Sequence, residues 1–217
     1  MEFANASRQL LEQLYQRLPQ LELCHDQIYR AAGMMVDTAS HGGTILACGN
    51  GGSAADADHL VGELMNRYLL RRPIPEEQAR RLQSSAGERG AALSENLQRA
   101  IRAISLVSQS ALMTAVANDT QPEMIFAQQV YGYARQGDLL VAFSTSGNST
   151  NVINAAHVAR ALSVPVLALT GAEGGELGAV ADLTIRVPQK SAYLVQELHQ
   201  PVYHALRGVV ENERFGT

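Results

Sequence analysis

No stretch of the 217 residues approaches the ~20 consecutive apolar residues that a helix needs to cross a bilayer, which excludes a helical membrane anchor from the expectation. From Met1 to Leu23 acidic and polar side chains recur throughout, so the uninterrupted apolar centre of a signal peptide is missing as well. Cysteine is scarce. Cys24 and Cys48 form no metal-ligand spacing, and Cys48 falls in an apolar run, so both are expected as reduced thiols of a cytoplasmic protein. Charge of one sign is also missing: a net charge of -4 and a pI near 5.9 give no electrostatic case for a nucleic-acid or membrane surface. Neither a G-x-x-x-x-G-K-[ST] loop nor a complete dinucleotide fingerprint occurs, so neither a nucleoside triphosphate nor NAD is indicated.

What is present, 46% hydrophobic and 18% charged residues, suffices for one substantial core, and a single domain over 1–217 is expected. Apolar residues at helical spacing (Leu10, Leu11, Leu14, Leu18, then Ile28, Ala31, Ala32, Met35, Val36) predict a helical segment over 1–40, as one helix or as two broken near Pro19. Such a helix outside the βα units covers either a partner subunit or its own sheet. Short apolar runs at 44–48, 103–107, 139–143, 164–169 and 183–187 predict strands, with 139–143 central. Helices are expected from Ser53 to Leu70 with Ser53 as N-cap, and over 110–118, 123–134, 150–162 and 192–213, with a kink or break at Pro201. The alternation predicts a doubly wound parallel α/β sheet. The stretch 71–99, rich in Arg, Glu and Gln, is expected to be a solvated helical excursion broken at Gly87 and Gly90, with segments 76–85 and 91–102.

Two loops carry the chemistry. Gly49-Asn50-Gly51-Gly52-Ser53 and Ser144-Thr145-Ser146-Gly147-Asn148-Ser149 each follow a predicted buried strand and precede a helix. That is where free N–H groups, hydroxyls and close backbone approach favour a phosphate. His59 and Glu63 share a helix face at i, i+4, while Gln196 and His204 lie about two turns apart on the last helix. These four side chains suit general acid–base chemistry on a sugar phosphate, or a divalent metal such as zinc. Equally, they suit an exposed i,i+4 pair on one helix and a solvated or core histidine on the other, and spacing alone leaves all three open.

Gly49 to Ala57 with His59, Glu63 and Asn66-Arg67-Tyr68 resembles the sugar isomerase (SIS) family, and within it the phosphoheptose isomerase type. Ala117-Asn118-Asp119, the serine-rich loop, Leu169-Thr170-Gly171 with Gly174-Gly175, Arg186-Val187-Pro188 and Gln196-Glu197-Leu198-His199 with His204 extend the match. The resemblance implies a flavodoxin-like SIS sheet in a homotetramer with shared active sites and N-terminal helices in its core. It implies conversion of sedoheptulose 7-phosphate to D-glycero-D-manno-heptose 7-phosphate through an enediol, on the way to bacterial surface polysaccharide. By the same resemblance Glu63 would be the base and His204 its acid–base partner. Asn50, Gly51, Gly52, Ser53, Arg67, Asn118, Asp119, Ser144, Thr145, Ser146, Ser149 and Gln196 would bind substrate. His59, Glu63, Gln196 and His204 would ligate zinc in those members that bind it. The chain departs from the family pattern at Leu106, at Tyr193-Leu194-Val195, at Pro201 and in 71–99. Non-catalytic relatives, which bind the replication initiator DnaA or sense a sugar phosphate, are the alternative. The DnaA-binding type lacks the Glu and final His kept here as Glu63 and His204.

Overall fold

The computed structural model describes residues 2–216. Five parallel strands, β1 (Ile45–Cys48), β2 (Ala103–Ser105), β3 (Leu139–Phe143), β4 (Val166–Thr170) and β5 (Leu183–Arg186), form one sheet in the order β2-β1-β3-β4-β5. Because strand side chains alternate, Ile45, Ala47, Val141, Phe143, Leu167 and Ile185 face one core while Leu46, Cys48, Leu140, Ala142, Val166 and Ala168 face the other. On the first face lie α1 (Asn5–Arg17), α2 (His25–Ser40), α3 (Gly52–Met65) and α9 (Ala192–Phe215). On the second lie α6 (Ile125–Tyr133), α7 (Thr150–Ala161) and α8 (Gly175–Val180), with α5 (Ser110–Asp119) packing at its border through Met113. This is the doubly wound, flavodoxin-like order, and its topological switch point falls between β1 and β3, the two strands whose following loops drew attention in the sequence.

The N-terminal segment is two helices broken at Pro19, where a 3-10 turn, Pro19–Cys24, intervenes; Phe3, Leu11, Leu21, Ile28 and Met35 are buried on the chain's own first core. Three expectations are corrected. Helix α3 starts at Gly52 rather than capping on Ser53, because Gly51 turns the chain at φ 57° and Ser53 is already inside the helix. It ends at Met65 rather than Leu70, because the Arg72 guanidinium takes the carbonyls of Glu63 (3.1 Å) and Leu64 (3.2 Å) and Asn66 goes extended. Helix α9 runs unbroken through Pro201. The short α8 begins at Gly175, directly after Gly174, both at positive φ, where the sequence indicated only a turn.

The excursion is α4 (Glu76–Asn96), two helical arms folded back at Gly87, which sits at φ 55°. Its base is closed by the Arg99 N–H on the Arg72 carbonyl (2.7 Å) and the Arg72 N–H on Gln98 Oε1 (2.8 Å). Its root, at Ile74, Pro75 and Gln98, lines a concavity of about 380 Å³ with Gly42 and Gly43. Those glycines precede β1, so the root stands at the edge of the sheet opposite the two loops, and within one chain α4 does not cover them. The arms touch at Gly90, where a Cβ would lie 2.0 Å from the Leu82 carbonyl. Replacing Gly90 with Val is therefore expected to splay the arms. Trypsin should then cut at Arg80, Arg81 and Arg89 several times faster, while the thermal midpoint moves by less than about 2 °C because the cores are untouched. Unchanged proteolysis would show that the arms do not depend on this contact.

Candidate active site

The first group of functional residues forms at the switch point. Asn50, after β1, and Asn151, in the first turn of α7, exchange amide hydrogen bonds of 2.8 and 3.0 Å across the crevice. Ser144, after β3, donates its hydroxyl to Ser149 Oγ at 3.1 Å, and Asn148 Oδ1 receives the Glu176 N–H at 3.0 Å, which ties the serine loop to α8. Gly147 is required here: it sits at φ 70° and a Cβ would meet the Gly174 carbonyl at 1.9 Å. Ser53 and Ser144 are buried, Thr145 and Ser149 half-buried, and Ser146 exposed. The amide of Gln196, from α9, packs so closely on Gly52 that a Cβ there would lie 2.5 Å from its nitrogen. A cavity of about 270 Å³ opens between Asn50, Glu123, Ser149, Thr150 and Asn151. Backbone amides at the starts of α3 and α7, hydroxyls and carboxamides together make an anion site in chemical type.

The second group lies where α3 meets α9. Glu63, in the last turn of α3, places Oε1 3.0 Å from His59 Nε2 and Oε2 3.9 Å from His204 Nε2. The nearest contact to Oε2 is Arg207 Nε, at 2.6 Å, from a side chain that is 1% exposed and lies over the Tyr68 ring. Tyr203 continues the chain: its hydroxyl donates to Asp56 Oδ1 at 3.3 Å and lies 2.9 Å from His59 Nδ1. With that proton on Asp56, His59 Nδ1–H donates to the tyrosine oxygen and turns Nε2 toward Glu63.

Burial, then the charge of Arg207, then His59 and Arg17, pull the His204 imidazole down to about 4, so it is neutral near pH 7. Burial pushes the Asp56 carboxyl up to about 6, against the Tyr203 hydrogen bond and His59. Nδ1 or Nε2 of both histidines and a Glu63 oxygen lie within 4.8 Å of one another, a group that could hold a metal ion. The donor types suit a borderline-soft divalent ion, and the Tyr203 hydroxyl on His59 Nδ1 fixes the ring orientation that such a ligand needs. Gln196 is not brought into this group; its amide stays on Gly52, eight residues before His204 and so ~12 Å away along α9.

Not every expected residue joins either group. Arg67 is exposed and its N–H bonds Asn66 Oδ1, while Asn118 and Asp119 bond each other at the exposed end of α5. Among the described residues none of the three bonds to the loops or to the Glu63 cluster. Leu106, a departure from the family pattern, is fully buried in the second core, its carbonyl taken by the Gln129 amide at 2.8 Å, and Tyr193 is 64% exposed in the first turn of α9. Sequence reasoning missed Arg207, Tyr203, Asp56 and the pair Arg72–Glu211. The available signal was the recurrence of His204, Arg207 and Glu211 along one stripe of a helix otherwise apolar at Val202, Leu206, Val209 and Val210.

Arg72 and Glu211 are each 1% exposed and pair at 3.0 Å. Glu211 also accepts the N–H groups of Tyr68 (2.9 Å), Leu69 (2.6 Å) and Leu70 (3.2 Å). Replacing Glu211 with Ala strands three amides and a buried guanidinium, so a loss of about 3–5 kcal/mol is expected in urea unfolding. A loss below about 1 kcal/mol would contradict the arrangement. His199, fully buried beside Phe143, is held down to about 4 by burial, partly offset by the Thr170 backbone. Its native value lies below its unfolded value of 6.5, so the unfolded chain binds the proton more readily and stability falls as pH drops through 6.5 toward 4. Between pH 7.5 and 4.5 the wild type should lose about 2–3 kcal/mol more than His199→Leu. Equal losses in the two proteins would contradict it.

The model of the SIS domain family matches residues 2–103 and 88–171. The phosphoheptose isomerase of Rhodospirillum rubrum is 42% identical over 190 residues, 87% of this chain and 87% of the relative. A phosphoheptose isomerase of Akkermansia muciniphila is 39% identical over 189 residues, 87% of this chain and 86% of the relative. The solved phosphoheptose isomerase of Neisseria gonorrhoeae superposes with a TM-score of 0.72 at 30% identity, covering 93% of both chains.

Proposed function

For a chain that belongs to the SIS domain family, and within it to the phosphoheptose isomerase type, we propose the activity of that type: interconversion of sedoheptulose 7-phosphate and D-glycero-D-manno-heptose 7-phosphate. The observation that carries the reading is that Glu63 and His204, from helices about 140 residues apart in sequence, meet at 3.9 Å in a chain that also carries two phosphate-type loops. The serine loop and the turn at Asn50 would hold the phosphate with backbone amides and hydroxyls. Glu63, held between His59 and Arg207, takes the proton from C1 of the ketose as the C1–H bond breaks. His204, neutral near pH 7, has one N–H to give and one lone pair to accept with. It delivers a proton to O2 to form the enediol and removes one from O1. Glu63 then returns its proton to C2, which makes the aldose and restores both groups, the division of labour seen where a carboxylate and a neutral imidazole share an enediol.

Ser53 lies in the first turn of α3 and Glu63 in its last, ten residues and ~15 Å apart along the axis. Such a separation suits the homotetramer with shared sites, in which the loops of one protomer face the acid–base cluster of another. A metal, zinc in this reading, would be held by His59, Glu63 and His204, without the Gln196 that the resemblance implies as a fourth ligand, and would polarise the carbonyl when bound. The reading places the enzyme in the cytoplasm, where sugar phosphates are made; no described helix is long and apolar enough to cross a membrane.

Purified protein is expected to convert sedoheptulose 7-phosphate, and Glu63→Gln to lower kcat by at least ~10³-fold, with His204→Ala lowering it ~10²-fold or more. Sugar-phosphate binding without turnover in the wild type would favour the sensing alternative instead.

A further inference from the structure

The Arg207 guanidinium stands where a metal held by Glu63 would need a carboxylate lone pair. We propose that Arg207 is a resident cation that competes with divalent metal for Glu63 and keeps the affinity of the His59–Glu63–His204 set low; this rests on reading that set as a metal site. Glu63 has two oxygens. Oε1 faces His59 Nε2 at 3.0 Å, and Oε2 is taken by Arg207 Nε at 2.6 Å. Metal coordination through either oxygen brings a second cation within a few ångströms of a guanidinium that cannot give up its proton.

Charge bookkeeping sharpens the point. The buried or half-buried charged groups at the junction of α3 and α9 are Arg72, Arg207, Glu63 and Glu211, and they sum to zero. A divalent ion adds two positive charges that none of them can offset. Asp56, behind Tyr203, supplies at most one negative charge and does not reach Glu63. Nor is Arg207 free to swing aside: it is 1% exposed, and Tyr68, whose ring covers it, is anchored by its backbone N–H on Glu211. None of the three Arg207 nitrogens, nor Glu63 Oε2, has a partner in hydrogen-bond geometry among the described residues, so their contact is an ion pair, and a guanidinium buried at that cost acts on the carboxylate through its charge.

The full-length protein, stripped with chelator, is titrated with Co²⁺ by its visible absorption and with Zn²⁺ against a chromophoric chelator. Arg207→Met is expected to bind both at least tenfold more tightly than the wild type, Arg207→Lys to stay within about threefold of it, and Glu63→Gln placed on Arg207→Met to abolish the gain. Equal or weaker binding by Arg207→Met, or a gain that survives Glu63→Gln, overturns the proposal. If circular dichroism shows Arg207→Met unfolded, Arg207→Gln takes its place with the same expectation and the same overturning result. Because the readout is binding, a protein inactive on the heptose phosphate that still shows the gain refutes the isomerase reading and leaves this proposal standing.

Discussion

The carboxylate of Glu211 holds the functional half of the molecule together. It gathers three consecutive backbone N–H groups, from Tyr68 to Leu70, and pairs with Arg72. Arg72 in turn takes the carbonyls of Glu63 and Leu64 and so sets where α3 stops. One buried ion pair thus determines the end of the helix that carries Glu63, the path of the chain into the α4 hairpin and the position of the ring that covers Arg207. Burial of such a pair costs desolvation, and what it secures here is geometry: the backbone of Glu63 is fixed by Arg72 and its side chain by Arg207.

The sheet does the complementary task for the phosphate loops. Strand order places the ends of β1 and β3 side by side with their helices leaving to opposite faces, so the crevice between Asn50 and Asn151 follows from topology. Helix α9 connects the two groups, since Gln196 in its second turn rests on Gly52 and His204, two turns on, reaches Glu63. The two strand-end loops and the Glu63 cluster are therefore mounted on one frame. Of the residues in that frame, Arg207 has the most direct influence on which cation the carboxylate prefers.

The sheet was legible because its strands are short apolar runs bounded by turn residues, and the ends of the observed strands agree with the expected ones to within two residues. The break at Pro19 and the fold-back at Gly87 were legible because proline and glycine state their constraint locally. The end of α3 was not, since the residues that terminate it, Arg72 and Glu211, lie 139 positions apart. Arg72 sits in a stretch that composition marks as solvated, and for its neighbours this holds: Arg80 and Arg81 pair with Glu76 and Glu77 on the surface. Burial of a single arginine is decided by a tertiary partner that local pattern does not show. The same holds for Arg207, whereas Glu63, His59 and His204 stand out in the sequence because the motifs around them are local.

The central claim is that Glu63 moves a carbon-bound proton. Its most direct test is proton NMR of sedoheptulose 7-phosphate incubated with the enzyme in D₂O, following the hydrogens on the carbon next to the carbonyl. The account predicts that deuterium enters at C1 of the ketose and C2 of the aldose with the wild type, and at neither position with Glu63→Gln. Conversion, or deuterium uptake, undiminished by Glu63→Gln would contradict it.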